Sequence, residues 1–150
     1  MISKYPHIGM LNKGRDFLNC ANKLNEDPHW LIAPLPVYYL YLHSIELSLK
    51  SFILLKTNDI TKCIKISHDL ELAWSEAEKL GINEAFPDNE KLIESIALIN
   101  KIYKGKELEY YYPGVKEIPV IHDISSSSNA LYETLAHLYR NTMKQNQARI

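Results

Sequence analysis

The longest apolar stretch of the chain covers residues 37–56, which contain no Gly or Pro. Its apolar side chains recur at intervals of three and four residues, the spacing of one face of a helix. Leu40, Leu47 and Leu54 add apolar surface on another side of that helix. The pattern therefore predicts a central helix that is buried over much of its circumference, with neighbouring helices packed around it.

The segments on either side of this helix carry weaker patterns. Residues 9–26 predict a moderately amphipathic helix that ends at Asp27-Pro28, because Pro cannot continue the hydrogen-bond ladder. Residues 29–36 are apolar but interrupted by Pro, so we expect a connector that packs against the core or forms a dimer contact. Residues 57–67 mix turn-forming and β-branched residues and predict a loop.

Two amphipathic helices are predicted next. The first begins near His68 and ends at Gly81, since glycine readily adopts the left-handed conformation that closes many helices. The second follows Pro87-Asp88 and stops at Gly105. Each has apolar residues at helical spacing, which predicts one buried stripe per helix.

Residues 106–128 form the irregular part of the chain and include three consecutive tyrosines and four consecutive serines. A last helix is predicted over residues 130–144, with Ser128 or Asn129 as its N-cap. The polar tail that follows is expected to fray. Together these patterns predict an all-α, single-domain bundle of about five helices, with its core over residues 9–144.

Composition and charge exclude several function classes. The chain is 46% hydrophobic and 23% charged, with a formal net charge of -1. This balance argues against strong non-specific binding to nucleic acid or membranes, although it leaves a local basic site open. Cys20 and Cys63 are too few and too far apart for a zinc motif or a disulfide framework, so we expect reduced thiols and a cytoplasmic protein.

The central helix carries three polar residues on one strip: His43, Glu46 and Lys50, three and four residues apart. Charges at mid-helix would be costly in lipid, so we expect a core helix and no membrane association. The strip has two interpretations. It is either a packing salt bridge with a hydrogen-bonded histidine, or the lining of a groove in which Lys50 holds an anion.

Three other groups are candidate sites, each with a structural alternative. His68-Asp69 either faces the same groove or caps the next helix. Tyr110, Tyr111 and Tyr112, with lysines nearby, either stack on bases or cover the core. Arg140-Asn141 either binds a ligand or interacts with the end of its own helix. The sequence has no metal-binding spacing and no phosphate-binding glycine loop, so no metal or cofactor is expected.

Taken together, these residues resemble the HEPN domains (higher eukaryotes and prokaryotes nucleotide-binding). The resemblance lies in the run HSIELSLKSFILLK, in ISHDLELAWSEAEKLGI and in Tyr112-Pro113, and it covers roughly residues 37–141. It implies a helical bundle that commonly forms a homodimer. Members of the family are metal-independent ribonucleases, often toxins or defence proteins, or companions of minimal nucleotidyltransferases.

The resemblance also implies a ribonuclease signature, in which an Arg and a polar residue are followed by a His. Arg140-Asn141 matches its first half, but the positions where the His would stand hold Gln145, Asn146 and Gln147. An amide does not titrate near neutral pH and is a poor general acid or base. His137 lies three residues before Arg140 and is a candidate replacement.

These observations leave three hypotheses. The first is a non-catalytic, dimeric HEPN-like module of a toxin–antitoxin or defence system that binds a nucleotide, RNA or a protein partner such as a nucleotidyltransferase. The second is an active ribonuclease that uses Arg140 and a non-standard His, which is His137, His43 or His68. The third is a purely structural interaction domain. For the first, the expected ligand-binding groove is lined by side chains from four parts of the chain: His43, Glu46, Lys50, His68, Asp69, Tyr110, Tyr112 and Arg140.

Overall fold

The computed structural model describes residues 5–26 and 34–148, and within them all regular structure is helical. Seven helices follow one another in these ranges: α1 (Pro6–Glu26), α2 (Pro34–Thr57), α3 (Ile60–Ile66), α4 (Leu70–Lys79), α5 (Ile82–Ala85), α6 (Glu90–Lys104) and α7 (Ile121–Gln147). The all-α prediction is confirmed. The expected number of five helices is too low, because α3 and α5 are short helices between the predicted ones.

α2 is the central helix, as predicted, and it contacts α1, α3, α4 and α7. It begins at Pro34, so the last part of the expected connector is helical. Pro34 and Pro36 fit there because the first backbone N–H groups of a helix have no acceptor within it. The rest of the expected connector lies outside the described residues, as does the predicted helix end at Asp27-Pro28.

α1 lies close along α2 because a glycine faces the crossing. A Cβ atom added at Gly14 would lie 3.3 Å from Leu47 Cβ and 3.4 Å from the Ser44 carbonyl oxygen. Leu11, Leu18 and Ala21 are buried on the same side of α1. These contacts place the polar strip of α2 inside the bundle, between α1 and the later helices.

The predicted loop over residues 57–67 is wrong, since it contains α3. The Asp59 carboxylate accepts a hydrogen bond from the Thr61 backbone N–H at 2.9 Å and so caps the helix. Cys63 and Ile66, three residues apart, are buried on one face. The cap and this apolar pair outweigh the weak helix propensity of the β-branched residues.

The predictions for α4 and α6 are confirmed. Asp69 caps α4, where its carboxylate accepts a hydrogen bond from the Leu72 backbone N–H at 3.0 Å. Gly81 follows α4 with φ of +91°, in the left-handed region that a side chain would disfavour. The predicted stripe of α6 is buried, with the members Leu92, Ile96, Ile99 and Tyr103.

α7 begins nine residues earlier than predicted, at Ile121, and neither Ser128 nor Asn129 is its N-cap. Ser126 and Ser128 lie within the helix, where their hydroxyls donate to carbonyls four residues earlier. These bonds satisfy the hydroxyls, and Ile124 is buried with the later apolar residues of α7. The first part of the predicted polar tail is also helical, because α7 extends to Gln147.

Across residues 5–26 and 34–148, each helix falls short of the length or the apolar character that a membrane crossing requires.

Candidate functional site

The polar strip of α2 forms a buried charge network around Glu46, whose side chain is only 3% exposed. Lys50 Nζ donates to Glu46 Oε1 at 2.7 Å. The Tyr103 hydroxyl donates to Oε2, and His68 Nδ1 lies 3.1 Å from the same oxygen. Since the Tyr103 proton is directed to Glu46, the Tyr103 oxygen accepts from His43 Nδ1 at 3.2 Å. The strip therefore has the geometry of a packing salt bridge with a hydrogen-bonded histidine, the first of its two interpretations.

Burial and hydrogen bonding act in opposite directions on Glu46. Burial by itself raises the pKa of this carboxyl, but the contacts with His43, Lys50, Tyr103 and His68 together outweigh it and lower the pKa below its usual range. Burial raises the pKa of the Tyr103 hydroxyl, and the negative charge of Glu46 raises it further. The network therefore contains an ionised carboxylate and a neutral phenol.

This network also fixes the turn between α3 and α4. Lys50 Nζ donates to the Ser67 carbonyl oxygen while Glu46 holds the His68 ring. Ser67 has φ of +54°, which is unusual for a residue with a side chain. Because Lys50 is occupied by two acceptors and is largely buried, it is a clamp for this turn and not a free cation.

Asp69 is tied to α6 as well as to α4. Its carboxylate accepts from Lys104 Nζ and from the side-chain amide of Asn100, the latter at 3.1 Å. The same Asn100 side chain accepts from the Leu70 backbone N–H at 2.8 Å and donates to Glu71. Burial tends to raise the pKa of Asp69, but these donors together lower it. Asp69 thus caps α4 and also ties α4 to α6.

An open groove of about 370 Å³ lies beside this junction. His68 and Asp69 contribute to its lining, as do side chains from α3 and from the end of α6. His43 lies away from this lining, with its ring stacked on Tyr39 and edge-on to Phe17. Of the predicted groove residues, His68 and Asp69 therefore share one groove, while Glu46 and Lys50 support it from the core.

The residues of the ribonuclease signature lie on α7, in a different place. His137, Arg140 and Asn141 are exposed and line one open cavity of about 510 Å³. The Asn141 side-chain nitrogen lies 2.9 Å from His137 Nε2. Among residues 5–26 and 34–148, none lines both this cavity and the groove at His68. The structure therefore separates Arg140 from the His68 groove that the sequence analysis combined with it.

A second cavity adjoins Arg140 on the side of α1. It has a volume of about 210 Å³, and its polar lining includes Arg15 and Tyr132. Arg15 donates to Asp16 at 3.0 Å, whereas Arg140 has no ion pair among the described residues. Two guanidinium groups, from helices far apart in the chain, thus border one cavity.

The tyrosine segment lies at the surface, between α6 and α7. Tyr110, Tyr111 and Tyr112 are each at least 60% exposed, so these tyrosines do not cover the core. Lys116 Nζ donates to the Tyr112 carbonyl oxygen at 3.1 Å and pairs with Glu107 at 3.2 Å. This lysine is therefore held by its neighbours.

The sequence analysis did not identify Arg15 or Lys65 as site residues. Arg15 lines the smaller cavity between α1 and α7, and Lys65 lines the groove beside His68. Each is a single cation on the polar side of an amphipathic helix, and that pattern is typical of solvated surface. Only the packing of α1 beside α7, and of α3 beside α4, gives these residues a site.

Comparisons of the chain with models of protein families, with curated proteins and with solved structures found no match. The HEPN resemblance therefore depends on the sequence motifs and stays a prediction.

Proposed function

We propose that this all-helical chain is a HEPN-like binding module that holds the phosphates of an RNA or a nucleotide on the face of α7. The observation that carries the proposal is the position of Arg140, which borders both the cavity with His137 and Asn141 and the cavity with Arg15. A guanidinium offers several donors in a planar fork that matches phosphate oxygens. Two such groups beside open cavities suit a polyanionic ligand.

The same face favours a binding role over catalysis. Asn141 engages His137 Nε2, and the positions after Arg140 that would supply the usual histidine hold amides. Asn141 and Tyr132 can donate hydrogen bonds to a sugar or phosphate, as Arg15 and Arg140 can. By this proposal the chain is non-catalytic and belongs to a toxin–antitoxin or defence system, with a nucleotidyltransferase as a candidate protein partner.

Binding is tested by fluorescence anisotropy with a labelled single-stranded RNA and with a labelled nucleotide. Arg140→Gln removes one guanidinium, and we expect affinity for the ligand to fall at least about tenfold. Lys144→Gln is the matched control, because it removes one exposed cation a turn further along α7. Equal affinities for wild type and Arg140→Gln would refute this site.

A specific observation favours a second candidate, a metal-independent ribonuclease that uses His137. Its ring and Arg140 line the same cavity, so an imidazole that can act as a general acid or base lies beside a guanidinium that can bind phosphate. RNA incubated in EDTA with wild type, Arg140→Ala and His137→Ala separates the candidates. Cleavage by wild type that both substitutions abolish would establish the enzyme and overturn the non-catalytic proposal.

The proposed module is a homodimer, as the family resemblance implies. We expect light scattering at micromolar concentration to give twice the mass of 17.4 kDa. A monomeric mass would remove the dimer from the proposal and leave the phosphate-binding face to be tested by itself.

A further inference from the structure

We infer that the groove beside His68 is a second anion site, separate from the α7 face, which binds a small phosphate-bearing molecule. Six of its lining residues carry the argument: Lys65, Ser67, His68, Asp69, Lys104 and Lys106. The volume of about 370 Å³ is near the lower end for small-molecule pockets. It accommodates a phosphate group or a mononucleotide, and it is too small for a folded RNA.

The charges of the groove favour an anion. Lys65 and Lys106 form no ion pair among the described residues. Lys104 is paired with Asp69, whose carboxylate also accepts from the α4 backbone and from Asn100. The one carboxylate in this lining is thus compensated, and two lysines retain an unbalanced positive charge. Coulombic attraction from two cations in a concave site raises the local anion concentration.

His68 is held so that its second ring nitrogen is available. The Glu46 carboxylate accepts hydrogen bonds and cannot donate them, so the proton on His68 Nδ1 is directed to it at 3.1 Å. Within the described part of the chain, no hydrogen bond engages His68 Nε2. The side chain is 35% exposed and lines the groove. A protonated His68 can therefore donate from Nε2 to an anion without giving up its anchor.

The backbone on both sides of the groove is fixed before any ligand binds. Lys50 and Glu46 hold Ser67 and His68 from the core. Lys106 has φ of +59°, and its carbonyl oxygen accepts from the backbone N–H of Glu109 and of Tyr110. Left-handed backbone at non-glycine residues costs energy and persists only where surrounding contacts hold it. A site fixed in this way loses little conformational entropy on binding.

Nuclear magnetic resonance titration with inorganic phosphate tests this inference directly. We expect backbone amide shifts at residues 65–69 and 104–106, and binding at least about fivefold weaker in Lys65→Gln/Lys106→Gln. Lys13→Gln/Lys101→Gln is the matched control, since it removes two exposed lysines elsewhere. Shifts confined to α7, or an equal loss of affinity in the control, would overturn the inference.

A second titration uses sulfate as the probe anion. Sulfate binding should weaken in His68→Ala, because this substitution removes the ring that lines the groove and is anchored to Glu46 through Nδ1. The charged groups around His68 are Glu46 and Lys50 on α2, Lys65 on α3, Asp69, and Lys104 and Lys106 at the end of α6. An unchanged sulfate affinity in His68→Ala would remove His68 from the site. The results of both titrations at the His68 groove do not depend on whether RNA binds at Arg140, so the two proposals fail independently.

Discussion

Glu46 on α2 is the residue at which three parts of the chain meet. Its two oxygens accept from Lys50 on the same helix, from His68 in the α3–α4 turn and from Tyr103 on α6. A buried ion pair adds little to stability compared with apolar packing, but removing one partner leaves the other buried without compensation. The network is therefore best tested by single substitutions that break it.

Glu46→Gln keeps the size of the side chain and removes its charge. We expect the free energy of unfolding to fall by about 3 kcal/mol, because Lys50 stays buried without its carboxylate. Tyr103→Phe keeps the ion pair and should cost only about 1 kcal/mol. Urea denaturation measures both, with Glu94→Gln in an exposed pair as the control. A loss no larger for Glu46→Gln than for Glu94→Gln would contradict the buried network.

The lowered pKa of Glu46 also predicts how stability depends on pH. Because the folded carboxyl binds a proton less readily than the unfolded one, its contribution is complete above the ordinary value of 4.5 and is lost as pH falls below it. Asp69 contributes in the same direction. The unfolding free energy should therefore fall less steeply between about pH 6 and about pH 3.5 in Glu46→Gln than in wild type. Parallel slopes would show that folding leaves this pKa unchanged.

At the residue scale, the sequence analysis identified the polar residues of α2 and the Asp69 cap, but not the groups that they contact elsewhere in the chain. Helical spacing places His43, Glu46 and Lys50 on one strip, and the chemistry of Asp69 identifies a cap. The contacts of Glu46 with Tyr103, and of Lys50 with the Ser67 carbonyl, span many residues of sequence. They depend on how α6 and the α3–α4 turn pack on α2, which no local pattern encodes.

At the scale of helices, the three helices with the strongest apolar periodicity were predicted correctly, whereas the start of α7 was not. α2, α4 and α6 have long apolar stripes, and each of these helices lies where the sequence predicts it. α7 was predicted too short because four serines indicate a helix entry. In the structure Ser127 and Ser128 are buried, and the hydroxyls of Ser126 and Ser128 donate to carbonyls of the same helix. Serine has weak preferences of its own, so tertiary contacts decide which role it takes.

The end of α4 gives a prediction at this scale. Gly81 has φ of +91°, so Gly81→Ala should lower the free energy of unfolding by about 1 kcal/mol, although a Cβ there would meet no atom within 4 Å. Gly9 is an exposed glycine inside α1 with equally open surroundings. Gly9→Ala should instead raise stability by roughly 0.5 kcal/mol, since alanine favours a helix. Thermal unfolding of the pair checks the opposite signs. A stabilised Gly81→Ala would show that the left-handed conformation is not required.

Across the whole molecule, charge is nearly balanced, yet cations gather at two places. Lys65, Lys104 and Lys106 lie at the His68 groove, while Arg15 and Arg140 border one cavity between α1 and α7. A formal net charge of -1 gives little long-range attraction for a polyanion. If the chain binds RNA as proposed, the affinity should therefore come from local contacts and not from the net charge.

That conclusion predicts a shallow salt dependence for RNA binding. If Arg15 and Arg140 contact two phosphates of a single strand, the logarithm of the binding constant should fall with the logarithm of salt concentration with a slope of about -1.4. Arg140→Gln should reduce the steepness by about 0.7, whereas Lys65→Gln/Lys106→Gln should leave it unchanged. Anisotropy titrations over a range of sodium chloride concentrations measure these slopes. A much steeper slope in wild type, reduced by the lysine substitutions, would place RNA on the His68 groove and remove it from α7.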